Sequence, residues 1–330
     1  MNFPGTFYLL AFIGACTTAL IALPLWRKWC LRSGLVDDPG HRKIHAEPVP
    51  LAGGLALMTA ITVPVLLGLL VLWARQANLV SLADPATTER LTYGLHKRSL
   101  ELAAIFLGAL GMLIVGLLDD KHELKPSWKF TGQFLIALLV AVSGARITLF
   151  VPSLLFSYAV TVLWILTVIN AFNFMDNMNG LCGGLGVISA LGFALLSAHA
   201  GQYLVALIAF LTSGALLGFL PYNFPRARAF LGDSGSHLVG YLLAVLAILP
   251  HFHSAKHPQP LAVLSPLLIL AVPLGDMVWV VWLRWKLGQP FYIGDNNHLS
   301  HRLVRRGLSR TQAVLVIWLL AVLLGALAFV

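Results

Sequence analysis

Three acid-bearing stretches carry side chains able to do chemistry. Asp119 and Asp120 stand side by side after Gly-Leu-Leu. Two adjacent carboxylates at a membrane edge repel each other and lose hydration unless a cation or a proton offsets them. A solvated pair neutralised by Lys121 or Lys125 is the alternative, and Lys129 further on could snorkel or contact phosphate. In Phe-Leu-Gly-Asp-Ser-Gly-Ser, residues 230–236, Asp233 lies between Gly232 and Gly235, which permit close backbone approach to a ligand. Ser234 and Ser236 could cap a following helix, whose start favours an anion, so phosphate and a metal could both sit there; a plain N-cap stays open. The stretch 169–181 reads Ile-Asn-Ala-Phe-Asn-Phe-Met-Asp-Asn-Met-Asn-Gly-Leu and has no Lys or Arg. Its amide and carboxylate oxygens suit a hard cation or sugar hydroxyls. In a helix, Asn173 and Asp176 would share a face, as would Asp176 and Asn179; an Asn-rich capping turn is the other reading.

Basic residues mark two more loops. Residues 37–54 set Arg42, Lys43 and His45 in a Pro-Gly-Gly frame, which suits phosphate contacts or simply signals topology. Residues 290–302 place His298 and His301 at i, i+3. Zinc lacks a third ligand of suitable spacing there, so contact with a sugar diphosphate is the better reading, with Arg302 as anion partner. Asp276, after Pro273 and Gly275, lies inside an apolar run, where an acid is a functional candidate unless it bonds a neighbouring helix. His251, His253 and His257 read as a solvated loop more readily than as a metal site.

The elements that position these groups are membrane helices. Of 330 residues 58% are hydrophobic and 11% charged, far below the roughly one quarter charged in soluble domains. Mean hydropathy is +0.85. Cys16, Cys30 and Cys182 show no paired spacing for a disulfide framework or zinc site. A net charge of +9 fits cytoplasmic loops and anionic head groups, not nucleic acid. Ten apolar runs approach the roughly 20 residues a bilayer needs: 7–26, 51–73, 101–118, 129–145, 152–169, 181–199, 202–221, 236–250, 261–283 and 312–330. Positive charge follows the first run, unlike a cleaved signal, so it reads as a retained span. Alternate loops carry 16 Lys or Arg against 6 on the other side. The positive-inside rule therefore puts the acid-bearing loops in the cytoplasm and both termini outside. The expectation is one all-α polytopic domain over 1–330, a bundle of about ten transmembrane helices with cytoplasmic active-site loops.

As a set, Gly-Leu-Leu-Asp-Asp, the 169–181 stretch, Phe-Leu-Gly-Asp-Ser-Gly-Ser and His-Leu-Ser-His-Arg resemble the polyprenyl-phosphate N-acetylhexosamine-1-phosphate transferase superfamily, in its order, over roughly residues 25–310. The resemblance implies transfer of a sugar-1-phosphate from a UDP-sugar to undecaprenyl or another polyprenyl phosphate, with Mg2+ (or Mn2+) and release of UMP, at a bacterial inner membrane. It implies that Asp233 and Asn173 ligate the metal and that Asp119 and Asp120 are the catalytic pair acting on the lipid phosphate. Lys129 would steady phosphate, Asn179 would approach uridine or sugar, and His298, His301 and Arg302 would recognise sugar and diphosphate. Asp176, Lys43 and His45 complete the expected substrate-binding set. The family often has Asp where this chain has Asn179, and its last motif is commonly His-x-His-His, where Ser300 stands in this chain. The His-rich loop of the muramoyl-pentapeptide branch is absent, which favours a UDP-N-acetylhexosamine, GlcNAc first. The pentapeptide activity, and a transporter or flippase using Asp276 and the Asp119–Asp120 pair as a relay, are the alternatives; polar groups gathered at one membrane face argue for an enzyme. A homodimer is left open.

Overall fold

The computed structural model describes residues 4–39, 47–77, 79, 85–148, 151–250, 263–290 and 295–330. Long apolar runs without charge fold as helices because no water satisfies backbone groups in hydrocarbon. In chain order the helices are α1 (Gly5–Ser33), α2 (Gly53–Gln76), α3 (Pro85–Lys97), α4 (Ser99–His122), α5 (Pro126–Ser143), α6 (Leu154–Met175), α7 (Leu181–His199), α8 (Tyr203–Phe219), α9 (Gly232–Ile248), α10 (Ser265–Ile269), α11 (Ala271–Lys286), α12 (Leu299–Arg305) and α13 (Arg310–Ala326). Among the described residues the strands are a two-residue pair, β1 (Val36–Asp37) and β2 (Val49–Pro50), antiparallel. This is an all-α membrane protein: seven helices, α1, α2, α4, α6, α7, α13 and α8 with its 3-10 extension, are long and apolar enough to cross a bilayer.

A helix stands at each of the ten apolar runs, with differences that matter. The helix of run 101–118 continues through Asp119 and Asp120 to His122, and α6 continues past 169 through Asn173 to Met175. Acids and amides expected at span ends and loops are therefore on the last helical turns. Run 261–283 is broken at Leu270 into α10 and α11. The polar stretch between the second and third runs contains α3.

Helix α9 is the axis of the bundle, buried continuously from Ser234 to Ala247 and packed against α4, α6 and α2. A helix apolar all round belongs in the core. Around it, α8 packs on α1 and α7, and α13 covers α7. Leu66, Leu67, Leu135, Leu139, Leu319 and Leu323 point outward, the surface a lipid-facing bundle presents. Small residues let backbones meet: a Cβ on Gly116 of α4 would collide with the Ser234 backbone at the start of α9. The 50–53 segment stitches α2 to the same place, Phe230 N–H donating to Pro50 O at 3.0 Å and Gly53 N–H to Phe230 O at 2.9 Å. The ends of α4 and α6 and the start of α9 are thus fixed against one another before any side chain acts.

Candidate active site

The site assembles where α4 ends, α5 and α9 begin and α6 ends. Asp119 is 8% exposed. Its Oδ1 accepts the Leu124 N–H at 2.9 Å, closing the turn after α4, and its Oδ2 lies 2.7 Å from Lys129 Nζ. The same ammonium reaches Asp233 Oδ1 at 3.2 Å, so one lysine bridges two carboxylates. Asp120 points the other way. Its Oδ1 accepts the Asp233 N–H at 2.7 Å and its Oδ2 the Ser234 N–H at 3.1 Å. A carboxylate on the first amides of a helix satisfies orphan donors and meets the positive end of the dipole. Gly232 makes this fit: its φ is +68°, and a Cβ there would lie 2.7 Å from Asp120 Oδ2. The two adjacent acids therefore do different things, Asp119 facing the ion pair and Asp120 holding the backbone that carries Asp233.

Asn173 Nδ2 donates to Asp233 Oδ1 and, at 3.0 Å, to Ser236 Oγ. Behind Asp233 runs a buried polar chain. Asn170 Nδ2 donates to Gln133 Oε1 at 2.9 Å, which leaves Gln133 Nε2 to donate to His237 Nε2 at 3.4 Å. The His237 proton then sits on Nδ1, which is buried without a partner among the described residues. His237 Nε2 is 3.9 Å from Asp233 Oδ1. Asp176, half-buried at the end of α6, is pushed up to about 8 by loss of solvation first and by the charges of Asp233 and Asp120 next.

One ligand atom each from Asp119, Asp233 and His237 lies within 4.8 Å of the others. Magnesium is usually held by one or two carboxylates together with substrate phosphates, so a donor set built on Asp233 fits such an ion. It is the Asn173 amide nitrogen that reaches Asp233; ligation by Asn173 would require its oxygen to turn inward.

A second cluster lies on α11 and the loop before α12. Asp276 Oδ2 is 2.6 Å from His298 Nδ1, and its Oδ1 accepts the Leu299 N–H at 2.6 Å. Arg284, two turns along α11, donates Nε–H to Asp295 Oδ2 at 2.7 Å, while Asp295 Oδ1 accepts the Asn297 N–H at 2.7 Å. Burial alone would raise Asp295; the bonds from Arg284 and the Asn297 amide hold it below the usual carboxylate range. The loop docks on the α6–α7 turn: Ser300 Oγ donates to Asn177 Oδ1 at 2.7 Å, and the His298 ring meets Phe174 edge to face at 5.6 Å. The Arg302 guanidinium lies 4.8 Å over Trp279, and His301, half-buried, is lowered by lost solvation first, then by the nearby positive groups.

Of the residues expected from the sequence, Asp119, Asp120, Lys129, Asn173 and Asp233 come together, with Asp176 beside them. His298, His301 and Arg302 form the second cluster. Asn179 donates to Pro225 O at 3.3 Å on the 223–229 loop. Lys43 and His45 are outside the described residues, as are His251, His253 and His257. Gln133, His237, Arg284 and Asp295 were not singled out. Gln133 is one helical turn from Lys129 and His237 one turn from Asp233, a spacing that puts each on its neighbour's face.

The fold and the site define an all-α integral membrane protein with an acid-rich polar centre at its helix ends. The chain belongs to glycosyl transferase family 4, whose profile matches residues 102–251. It is 32% identical over 328 residues (97% of this chain, 84% of the relative) to a Bacillus subtilis protein named "Probable undecaprenyl-phosphate N-acetylglucosaminyl 1-phosphate transferase". A Mycobacterium tuberculosis decaprenyl-phosphate N-acetylglucosaminephosphotransferase is 33% identical over 320 residues, 87% of this chain and 73% of its own length. An Escherichia coli O157:H7 undecaprenyl-phosphate alpha-N-acetylglucosaminyl 1-phosphate transferase is 28% identical over 318 residues, 91% and 77% of the two chains.

Proposed function

We propose that the chain transfers N-acetylhexosamine-1-phosphate, GlcNAc-1-phosphate first, from a UDP-sugar to undecaprenyl or another polyprenyl phosphate and releases UMP. The observation that carries this reading is the pairing of Asp119 and Asp233 through Lys129 at the helix ends. The names of the relatives supply the substrate classes. An oxygen of the lipid phosphate attacks the sugar-bearing phosphorus; the bridging P–O bond breaks and UMP leaves with its electron pair. Asp119 accepts the proton of the lipid phosphate, and Lys129 pairs with phosphate oxygens as they arrive. Asp120 keeps Asp233 in place through the α9 amides, and Asn173 orients the Asp233 carboxylate in the metal-free site. Asp233, with Asn173 once its amide oxygen is turned inward, would hold Mg2+, which would supply charge neutralisation on the diphosphate. His298, His301 and Arg302 serve the sugar and diphosphate, and Asp176 lines the donor side.

We also propose that the chain crosses a bacterial inner membrane ten times with its site in the cytoplasm and both termini outside, the arrangement that the 16-to-6 distribution of Lys and Arg favours. Purified protein offered undecaprenyl phosphate and a panel of radiolabelled UDP-sugars should give a labelled lipid and UMP in equal amounts, lost on chelation of divalent cations. Movement of a lipid-linked solute with no UMP released would favour the transporter reading instead. A single cysteine at Asn296 should resist an impermeant thiol reagent in intact cells; ready labelling would reverse the orientation.

A further inference from the structure

The Asp276 carboxylate lies within helix α11 and is 6% exposed. A buried acid is costly unless its oxygens are engaged, and here both are, by consecutive residues of one loop. Oδ2 takes the ring of His298, itself 5% exposed, and Oδ1 takes the Leu299 N–H, both at 2.6 Å. A loop that only needed anchoring could be held by the backbone bond and by the Arg284–Asp295 pair. The ring bond does something different. A carboxylate accepts and never donates, so the His298 Nδ1 must carry a proton, and in the neutral ring Nε2 keeps the lone pair. Among the described residues nothing bonds Nε2. The ring packs edge to face on Phe174, which is next to Asn173, and Ser300 ties the same loop to Asn177. The orientation of His298 is thereby set from α11 and registered on the turn that carries the amides of the first cluster.

We propose that Asp276 is a positioning residue: it fixes the tautomer of His298 and the start of α12 together, and so presents the His298 Nε2 as an acceptor to a hydroxyl or amide N–H of the sugar in the sugar nucleotide. The tautomer part stands on geometry alone; the sugar part rests on the function proposed above. The two are tested with Asp276→Asn, which keeps the size of the side chain but offers an NH2 group where His298 now finds an oxygen.

In full-length protein labelled with 15N-histidine, the His298 resonances are identified by their loss in His298→Gln. They should show the proton on Nδ1 in the wild type and on Nε2 in Asp276→Asn. An unchanged His298 signature in Asp276→Asn overturns the proposal whether or not the protein turns over any UDP-sugar. In the transfer assay, Asp276→Asn should lower kcat/KM for the UDP-sugar by between about 10-fold and about 10⁴-fold, the upper end being the effect of the same exchange beside a catalytic histidine. The KM for polyprenyl phosphate should stay within about twofold of the wild type, because the dyad does not face that substrate. Adding Asp276→Asn to His298→Gln should cause no further loss, since one residue acts through the other. Losses that multiply in the double variant, or a change confined to the lipid KM, would overturn the sugar part. A wild type inactive on every UDP-sugar would refute the proposed function and the sugar part with it, while the resonances still decide the dyad.

Discussion

The two polar clusters use similar residues in opposite proportions. At the ends of α4 and α6 and the start of α9 stand Asp119, Asp120, Asp176 and Asp233, and one lysine, Lys129, pairs with two of them, Asp119 and Asp233. On α11 and its loop, Asp276 and Asp295 each have their own basic partner, His298 and Arg284. The second cluster closes on itself, each carboxylate also accepting a backbone N–H from the loop it holds. The first is left rich in carboxylate, with a lysine shared at 2.7 and 3.2 Å where a cation or a phosphate would enter. An imbalance of acids in a partly buried site raises its affinity for cations and protons. A set of paired charges has less to gain by binding a further ion. The difference supports the roles proposed above, chemistry at the first cluster and presentation of a recognition loop at the second.

The largest effects should fall where charge is least balanced. Asp119→Asn should cut turnover by about 10²- to 10⁴-fold, the usual worth of a positioned acid or base, and leave magnesium-dependent nucleotide binding measurable by calorimetry. Asp233→Ala should abolish that binding and turnover together. If Asp233→Ala still binds UDP-sugar with full magnesium dependence while Asp119→Asn loses it, the roles within the cluster are reversed.

Asp120 should behave as part of the frame. Asp120→Asn keeps one acceptor for the α9 amides and turns an NH2 group on the other, an unsatisfied contact worth about 1–3 kcal/mol. Gly232→Ala should be comparable in kind, since a Cβ would meet the same carboxylate at 2.7 Å on a backbone with φ +68°. Both variants should melt earlier in detergent and lose activity in step with each other. An Asp120→Asn protein that melts like the wild type but is inactive would place Asp120 in the chemistry beside Asp119.

Most members of both clusters stood out in the sequence, but the pairings within the second did not. Acids on membrane helix ends are conspicuous because hydropathy isolates them, so Asp119, Asp120 and Asp233 stood out. Their division of labour did not, because adjacent residues on a helix point about 100° apart and only the packing of α4 on α9 says which one meets the amides. Gln133 and His237 were readable in principle, one turn from Lys129 and Asp233. The Asp276–His298 pair was not, because 22 residues separate the partners. The expectation that the acids lie at span ends and loops underestimated α4 and α6, whose last turns are polar yet remain helical because tertiary bonds hold them.

A smaller effect is expected at Arg302. Its guanidinium lies over Trp279 at 4.8 Å, a contact worth about 0.5–2 kcal/mol. Arg302→Ala should raise the KM for the UDP-sugar by severalfold with the lipid KM unchanged, and Arg302→Lys should recover part of it. A change in the lipid KM instead would move this loop to the other substrate.

The smallest effects are on stability against pH, and there the two clusters should differ in sign. Asp176 is raised to about 8 from 3.8. Between those values the unfolded chain ionises while the folded protein keeps the proton, so this group makes stability fall as pH rises, with the full cost present above pH 8. Asp295 is lowered by Arg284 and the Asn297 amide. It contributes stability above the ordinary carboxylate value, and that contribution is lost as pH falls through its folded value. Melting temperatures in detergent from pH 4 to pH 8 should therefore show Asp176→Asn gaining on the wild type as pH rises. Asp295→Asn should melt below the wild type at pH 7 and, when the series is carried below pH 4, approach it there. Parallel curves for Asp176→Asn and the wild type would mean that Asp176 is ionised in the folded protein, and the first cluster would then carry a full carboxylate more than its geometry implies.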